Sequence, residues 1–276
     1  MTPKAANETQ VRACDDAVTS PIIELRHVSK RFGPLVVLDD VSIGFLPGQT
    51  TVVIGESGTG KSVLLKHIIG LLRPDSGEVW FRGRRVDQLN SKQWVAIRRH
   101  FGVLFQGAAL FDSMTAVQNV AFPIEEHLSL PREQARQLAL EKLRIVGLEA
   151  HADKKPAQLS GGQRKRVGLA RAIALEPEVI LYDEPTTGLD PVRADMINEL
   201  ILLLQRRFRV TSIVVTHDMA SAYKIADRIV MLSGGRFIAD GTPDEIRNSP
   251  DERVRRFVEG RADEEDLASL HTEMQQ

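Results

Sequence analysis

The chain has 276 residues, of which 26% are charged and 42% hydrophobic, the balance of an ordinary soluble globular fold with room for one large α/β domain. Its 36 Lys and Arg against 37 Asp and Glu leave a net charge of −1, which argues against holding nucleic acid by bulk electrostatics. No stretch approaches the 18 or so uninterrupted apolar residues of a membrane span, and Met1 to Ser20 lacks the apolar centre of a secretion signal.

Residues 1–20 are small and polar and are expected to form a flexible N-terminal tail. It carries the sole cysteine, Cys14, with no partner in the chain, which fits a reducing compartment. From Pro21 to Phe45 apolar residues alternate at Ile23, Leu25, Val37, Val41, Ile43 and Phe45, predicting strands with one buried face. Thr51-Val52-Val53-Ile54 is a short continuous apolar run, predicting a strand buried on both faces. A helical pattern follows Lys61, with Val63, Leu64, Ile68 and Leu72 on one face. Asp75-Ser76-Gly77 predicts a turn, Val79–Arg82 a short strand and Phe101–Phe105 a buried strand.

Helical patterns dominate from Met114 to Ala174. The best marked has Pro131 at its head, Ala135, Leu138, Leu143 and Val146 inside, and Gly147 closing it. Strand-helix alternation then resumes with Val179–Tyr182, a helix over about 191–207, and Ser212–Val215. Repeated buried strands separated by helices predict a mostly parallel sheet covered on both faces. Ser233-Gly234-Gly235 predicts a hairpin turn, and two short helical segments are expected after Pro243. Asp263 to Gln276 forms an acidic end.

Three clusters carry chemistry. Gly55-Glu56-Ser57-Gly58-Thr59-Gly60-Lys61-Ser62 fits G-x-x-x-x-G-K-[ST] between a buried strand and a helix. Its glycines let backbone N–H groups turn inward onto phosphate oxygens, and the helix adds its positive end. Lys61 can reach the β- and γ-phosphates, and the Ser62 hydroxyl can ligate Mg²⁺. Asp183-Glu184 ends a buried strand at the crevice where such sheets bind ligands. Asp183 is placed to hold Mg²⁺ and Glu184 to polarise an attacking water, although taken alone the pair could be solvated loop acids. Leu159-Ser160-Gly161-Gly162-Gln163 opens a helix and offers a second grip on phosphate, or a plain helix cap by Ser160. Two grips with one P-loop suggest head-to-tail pairing of two copies, each completing the other's site.

Gly55–Ser62, Gln106, Leu159–Gln163, Val179–Glu184, Gly188-Leu189-Asp190 and His217 occur in the order and approximate spacing of ABC transporter ATPases. They resemble Walker A, Q-loop, signature, Walker B, D-loop and switch histidine respectively, over about residues 21–241. The resemblance implies a P-loop NTPase (RecA-like) α/β core with a mostly parallel sheet, an antiparallel β subdomain and a helical subdomain at about 107–175. The cassette would span 21–242, followed by a C-terminal extension over 243–276.

It further implies ATP and Mg²⁺ as ligands. Phe32 would stack on adenine, a position where Tyr is commoner. Gly55 to Val63 would cradle the phosphates, and Ser62, Gln106 and Asp183 would hold Mg²⁺. Ser160, Gly161, Gly162, Gln163 and Asp190 would act across a homodimer. Lys61, Gln106, Glu184 and His217 would serve hydrolysis, with His217 on the γ-phosphate; a histidine met alone there could equally be a capping or surface residue.

The stretch Phe105–Thr115, continuing to Asn119-Val120-Ala121-Phe122-Pro123, is similar to the ATPases of bacterial Mla-type phospholipid transporters. There Gly107, Ala108 and Ala109 would leave space, and Leu110, Phe111 and Phe122 would offer apolar contact to a coupling helix; packing inside the helical insert is the alternative. The implied partners are an integral membrane permease, an MCE-domain substrate-binding protein and a STAS-domain subunit, with the chain peripheral on the cytoplasmic side of the inner membrane. The tail could help join two copies or simply be solvated. A soluble ABC ATPase acting on DNA or ribosomes is disfavoured by the neutral charge, the lack of long coiled coils and the presence of one cassette. A nucleotide-binding kinase or switch would not need Leu159–Gln163 or His217.

Overall fold

The computed structural model describes residues 20–262; the readings for Cys14 and for Asp263–Gln276 lie outside that range. Ten strands and nine α-helices are described within it. In chain order the strands are β1 (Ile23–Phe32), β2 (Leu35–Phe45), β3 (Thr50–Ile54), β4 (Ser76–Phe81), β5 (Arg84–Arg85), β6 (Phe101–Leu104), β7 (Val179–Asp183), β8 (Thr211–Val215), β9 (Arg228–Ser233) and β10 (Arg236–Gly241). The helices are α1 (Lys61–Ile68), α2 (Ser91–Arg98), α3 (Ala116–His127), α4 (Arg132–Ile145), α5 (Gly161–Ala172), α6 (Pro191–Phe208), α7 (Met219–Ile225), α8 (Pro243–Arg247) and α9 (Glu252–Glu259).

Two sheets form. One is antiparallel, ordered β2-β1-β4-β5; the other has six strands ordered β10-β9-β3-β8-β7-β6, parallel except for the β9–β10 hairpin. The continuous apolar runs have a direct physical cause. Alternate side chains leave opposite faces of a strand, and both faces of the six-stranded sheet are covered. Val52, Ile54, Ile180, Tyr182 and Val214 enter one core with α3 to α6. Val53, Leu181, Ile213 and Val215 enter a second core with α1 and the antiparallel sheet. Each buried Val, Leu or Ile contributes about 1.5–3 kcal/mol relative to exposure.

Two expectations differ from the fold. Ser76 and Gly77 are not a turn but open β4, with Ser76 opposite Ser29. Gly77, at φ 89°, passes so close to β1 that a Cβ would lie 2.2 Å from the His27 carbonyl oxygen. Helix α1 ends at Ile68, short of Leu72, because Gly70 turns left-handed at φ 64° against the Trp94 ring. Among the described residues no helix is long and apolar enough to cross a membrane.

Candidate functional site

The glycine-rich loop joins β3 to α1, and its glycines sit where side chains do not fit. A Cβ at Gly55 would lie 2.2 Å from the Leu232 carbonyl oxygen, and one at Gly60 would lie 2.8 Å from Val37. Gly55, Gly58 and Gly60 all take positive φ, at 151°, 83° and 98°. Lys61, the first residue of α1, is buried and donates through Nζ to the carbonyl oxygens of Gly55 and Glu56, each at 2.7 Å. Burial lowers its pKa, opposed by the charges of Glu184, Asp183 and Glu56. Thr59 closes the loop on itself, its hydroxyl donating to the Glu56 carbonyl oxygen at 2.9 Å.

Strand β7 brings the acidic pair to the same place. The Ser62 hydroxyl donates to Oδ1 of Asp183 at 2.8 Å. Glu184 follows at φ 49°, and its N–H donates to the Val215 carbonyl oxygen at 2.9 Å. Its carboxylate accepts from the Thr187 hydroxyl at 3.1 Å and the Thr216 hydroxyl at 3.4 Å, and lies 3.0 Å from Nδ1 of His217. A buried Lys165 donates through Nζ to the Glu184 carbonyl oxygen at 3.0 Å; burial brings that ammonium down to about 8, with the Glu184 charge acting the other way.

Phe32, Ser57, Gly58, Gly60, Lys61, Ser62, Val63, Gln106, Glu184 and His217 thus line one cavity of about 390 Å³, together with Val37. Phe32 is an exposed ring at its mouth, 46% accessible, with the Lys30 ammonium 5.6 Å from its centroid. The other named residues gather elsewhere. Ser160 caps α5: its hydroxyl accepts from the Gln163 N–H at 3.3 Å, while the Gln163 side chain accepts from the Ser160 N–H at 2.9 Å. Asp190 caps α6 by accepting from the Arg193 N–H at 3.0 Å. These two helix heads are neighbours, since a Cβ at Gly161 would lie 3.7 Å from Leu189 and one at Gly162 would lie 3.6 Å from Arg193. None of Ser160, Gly161, Gly162, Gln163 and Asp190 lines the Lys61 cavity.

The apolar seat around Phe105 to Pro123 is only partly as expected. Phe111 is 41% exposed, its ring 4.9 Å from that of Phe122, and both border a groove of about 340 Å³ with Phe105, Ala109 and Pro123. Ala108 leaves no space there. It is 1% exposed and packs where a Cβ on Gly168 would lie 3.2 Å from its own.

Thr187, Thr216 and Lys165 escaped the sequence reading, and Val37 was read only as a strand residue, not as a wall of the cavity. Thr216 was findable from its place between β8 and His217. Lys165 was findable from helical spacing, because it shares the buried face of α5 with Gly162, Gly168, Leu169 and Ala172.

A family model described as ABC transporter matches residues 38–187, more than half of the chain. The chain belongs to the ABC transporter family. It is an ABC-type ATPase. The cassette is 40% identical over 242 residues to the intermembrane phospholipid transport system ATP-binding protein MlaF of Haemophilus influenzae, covering 88% of this chain and 92% of that one. It is 38% identical over 242 residues to MlaF of Escherichia coli K12, covering 88% and 90%. It is 41% identical over 239 residues to the probable ribonucleotide transport ATP-binding protein mkl of Mycobacterium leprae, covering 87% and 69%. A dimeric ATP-binding cassette solved in a post-hydrolysis state with ADP and Pi superposes with TM-score 0.75 at 34% identity, covering 80% of this chain and 98% of that one. The cassette cbiO1 of the cbiONQ transporter complex from Clostridium perfringens gives 0.76 at 30% identity, covering 86% and 94%.

Proposed function

We propose that this cassette hydrolyses ATP as a head-to-tail homodimer and that the cycle powers phospholipid transport by a membrane permease. One observation carries the reading: the Lys61–Glu184–His217 cavity is assembled within one chain, while the Ser160-Gly161-Gly162 head of α5 lies outside it. Two copies facing each other supply the missing wall twice.

In that arrangement Phe32 stacks on the adenine ring. Backbone N–H groups of Gly55 to Val63 hold the phosphates, and Lys61 exchanges the Gly55 and Glu56 carbonyl oxygens for phosphate oxygens. Ser160, Gly161, Gly162 and Gln163 of the other copy close on the γ-phosphate, flanked by that copy's Asp190. The Ser62 hydroxyl and Asp183 carboxylate, 2.8 Å apart, are the hard oxygen donors that suit Mg²⁺, and Gln106 borders the same cavity. Bound there, Mg²⁺ offsets phosphate charge. Glu184 takes a proton from water as the water oxygen bonds to the γ-phosphorus and the bond to the bridging β-phosphate oxygen breaks. Thr187, Thr216 and His217 keep its carboxylate aimed. ATP favours the closed dimer and hydrolysis releases it, so nucleotide state biases a two-state element.

The groove beside Phe111 and Phe122 seats the permease helix. The cassette spans 21–242, with the helical subdomain at about 107–175 and a C-terminal extension from 243. An MCE-domain protein and a STAS-domain subunit complete the complex on the cytoplasmic side of the inner membrane. MlaF-type names among the relatives favour phospholipid, and the mkl names supply ribonucleotide as the competing cargo. Lipid extraction from the purified complex separates the two.

The direct test is Glu184→Gln. ATP affinity should stay within about twofold while turnover falls at least a hundredfold, and the variant should elute as a dimer only with ATP. Turnover at the parent rate would remove Glu184 as the base.

A further inference from the structure

Three lysines are buried among the described residues: Lys61, Lys142 and Lys165. Lys61 belongs to the P-loop, and Lys142 pairs with Glu176 at 2.7 Å. Lys165 has neither role. It is 6% exposed and, among the described residues, has no carboxylate within ion-pair distance; its hydrogen bond goes to the backbone carbonyl oxygen of Glu184, at 3.0 Å. A buried ammonium placed on a neutral carbonyl is costly to desolvate, so a filler role would be served better by an apolar side chain.

The carbonyl it holds belongs to an unusual residue. Glu184 has φ 49°, a left-handed conformation that L-residues other than Asn and Asp seldom take. Such a residue keeps its shape only when neighbours fix it. Its N–H is fixed by the Val215 carbonyl oxygen and its carboxylate by Thr187, Thr216 and His217. Lys165 donates to the remaining side, the carbonyl oxygen, which also accepts from the Thr187 N–H at 3.4 Å, and so helps to hold the Glu184 backbone in that conformation.

Lys165 also lies on α5, five residues beyond Ser160, about 7.5 Å along a rigid helix. The head of α5 serves one ATP site of the dimer, while Glu184 serves the other. We propose that Lys165 is a positioning residue that holds the backbone of its own chain's Glu184 against α5, and so serves the ATP site opposite the one its α5 head completes. The inference rests on the shared-site reading above.

The test uses mixed dimers of two differently tagged full-length chains. Ser160→Arg in one chain disables the site that its α5 completes and leaves one live site. That live site uses the P-loop and Glu184 of the Ser160→Arg chain. Lys165→Met removes the donor and keeps the stem. Placed in the Ser160→Arg chain, it should lower the remaining kcat about tenfold with KM for ATP unchanged, because it acts on the live Glu184. Placed in the opposite chain, it should leave the remaining kcat within twofold, and Lys165→Arg in the first arrangement should recover part of the loss. Equal losses in both arrangements, or a loss confined to KM, would overturn the positioning role and leave Lys165 a folding residue. A dimer carrying Ser160→Arg in both chains that turns over at the parent rate would instead sink the shared site, and this inference with it.

Discussion

Glu184 and Lys165 show how unevenly individual residues declare themselves. Burial holds the Lys165 ammonium near 8, below the 10.5 of a free lysine, so the unfolded chain binds more protons than the folded one between those values. Stability from this group therefore rises as pH climbs from 8 toward 10.5, by at most about 1.4 kcal/mol per pH unit. Below pH 8 both states carry the proton and the full cost of burying it remains. Urea unfolding of parent and Lys165→Met at pH 7 and pH 9.5 should show the parent gaining relative to the variant at the higher pH; a pH-independent difference would contradict the burial of a charged amine. Glu184 and His217 were legible because strand ends and motif order mark them. Position in the pattern could have flagged Thr216 and Lys165, but not their common partner: both reach Glu184 from elements distant in sequence. Ser160 carried two readings in the sequence: within one chain the structure makes it a helix cap, and the role proposed for it toward phosphate needs a second copy.

At the scale of elements, the buried strands β3, β7 and β8 were plain from their apolar runs, and the helical insert from its 3.6-residue spacing. What the pattern could not carry was backbone approach. Gly77 looked like a turn residue but is a glycine on which β1 presses, and Ala108 looked like a spacer beside a groove but is core. Close approach between elements distant in sequence leaves no periodic signal. The same physics gives a test. Strand β6 passes the end of α5 so closely that a Cβ on Gly102 would lie 2.3 Å from the Ala172 carbonyl oxygen. Gly102→Ala must push strand and helix apart and should cost about 1–3 kcal/mol, read as a lower urea midpoint. Gly107, with nothing near its missing side chain, should accept alanine with a change under about 0.5 kcal/mol. Equal effects at the two glycines would mean that the β6–α5 contact is looser than described.

For the molecule as a whole, the α/β architecture was legible, and two phosphate grips with one P-loop already suggested head-to-tail pairing of two copies. Which parts share a cavity within one chain follows from sheet topology: β3, β8 and β7 are parallel neighbours inside the sheet, so their carboxyl ends bring the P-loop, His217 and Glu184 together, while the heads of α5 and α6 meet elsewhere. The central claim is that hydrolysis needs both faces, drawn from two chains. The structure of Glu184→Gln trapped with ATP and Mg²⁺ tests it most directly. The γ-phosphate should lie within hydrogen-bonding reach of Lys61 from one chain and of Ser160 and Gly161 from the other. Nucleotide enclosed by a single chain, with Ser160 of every copy facing solvent, would contradict it.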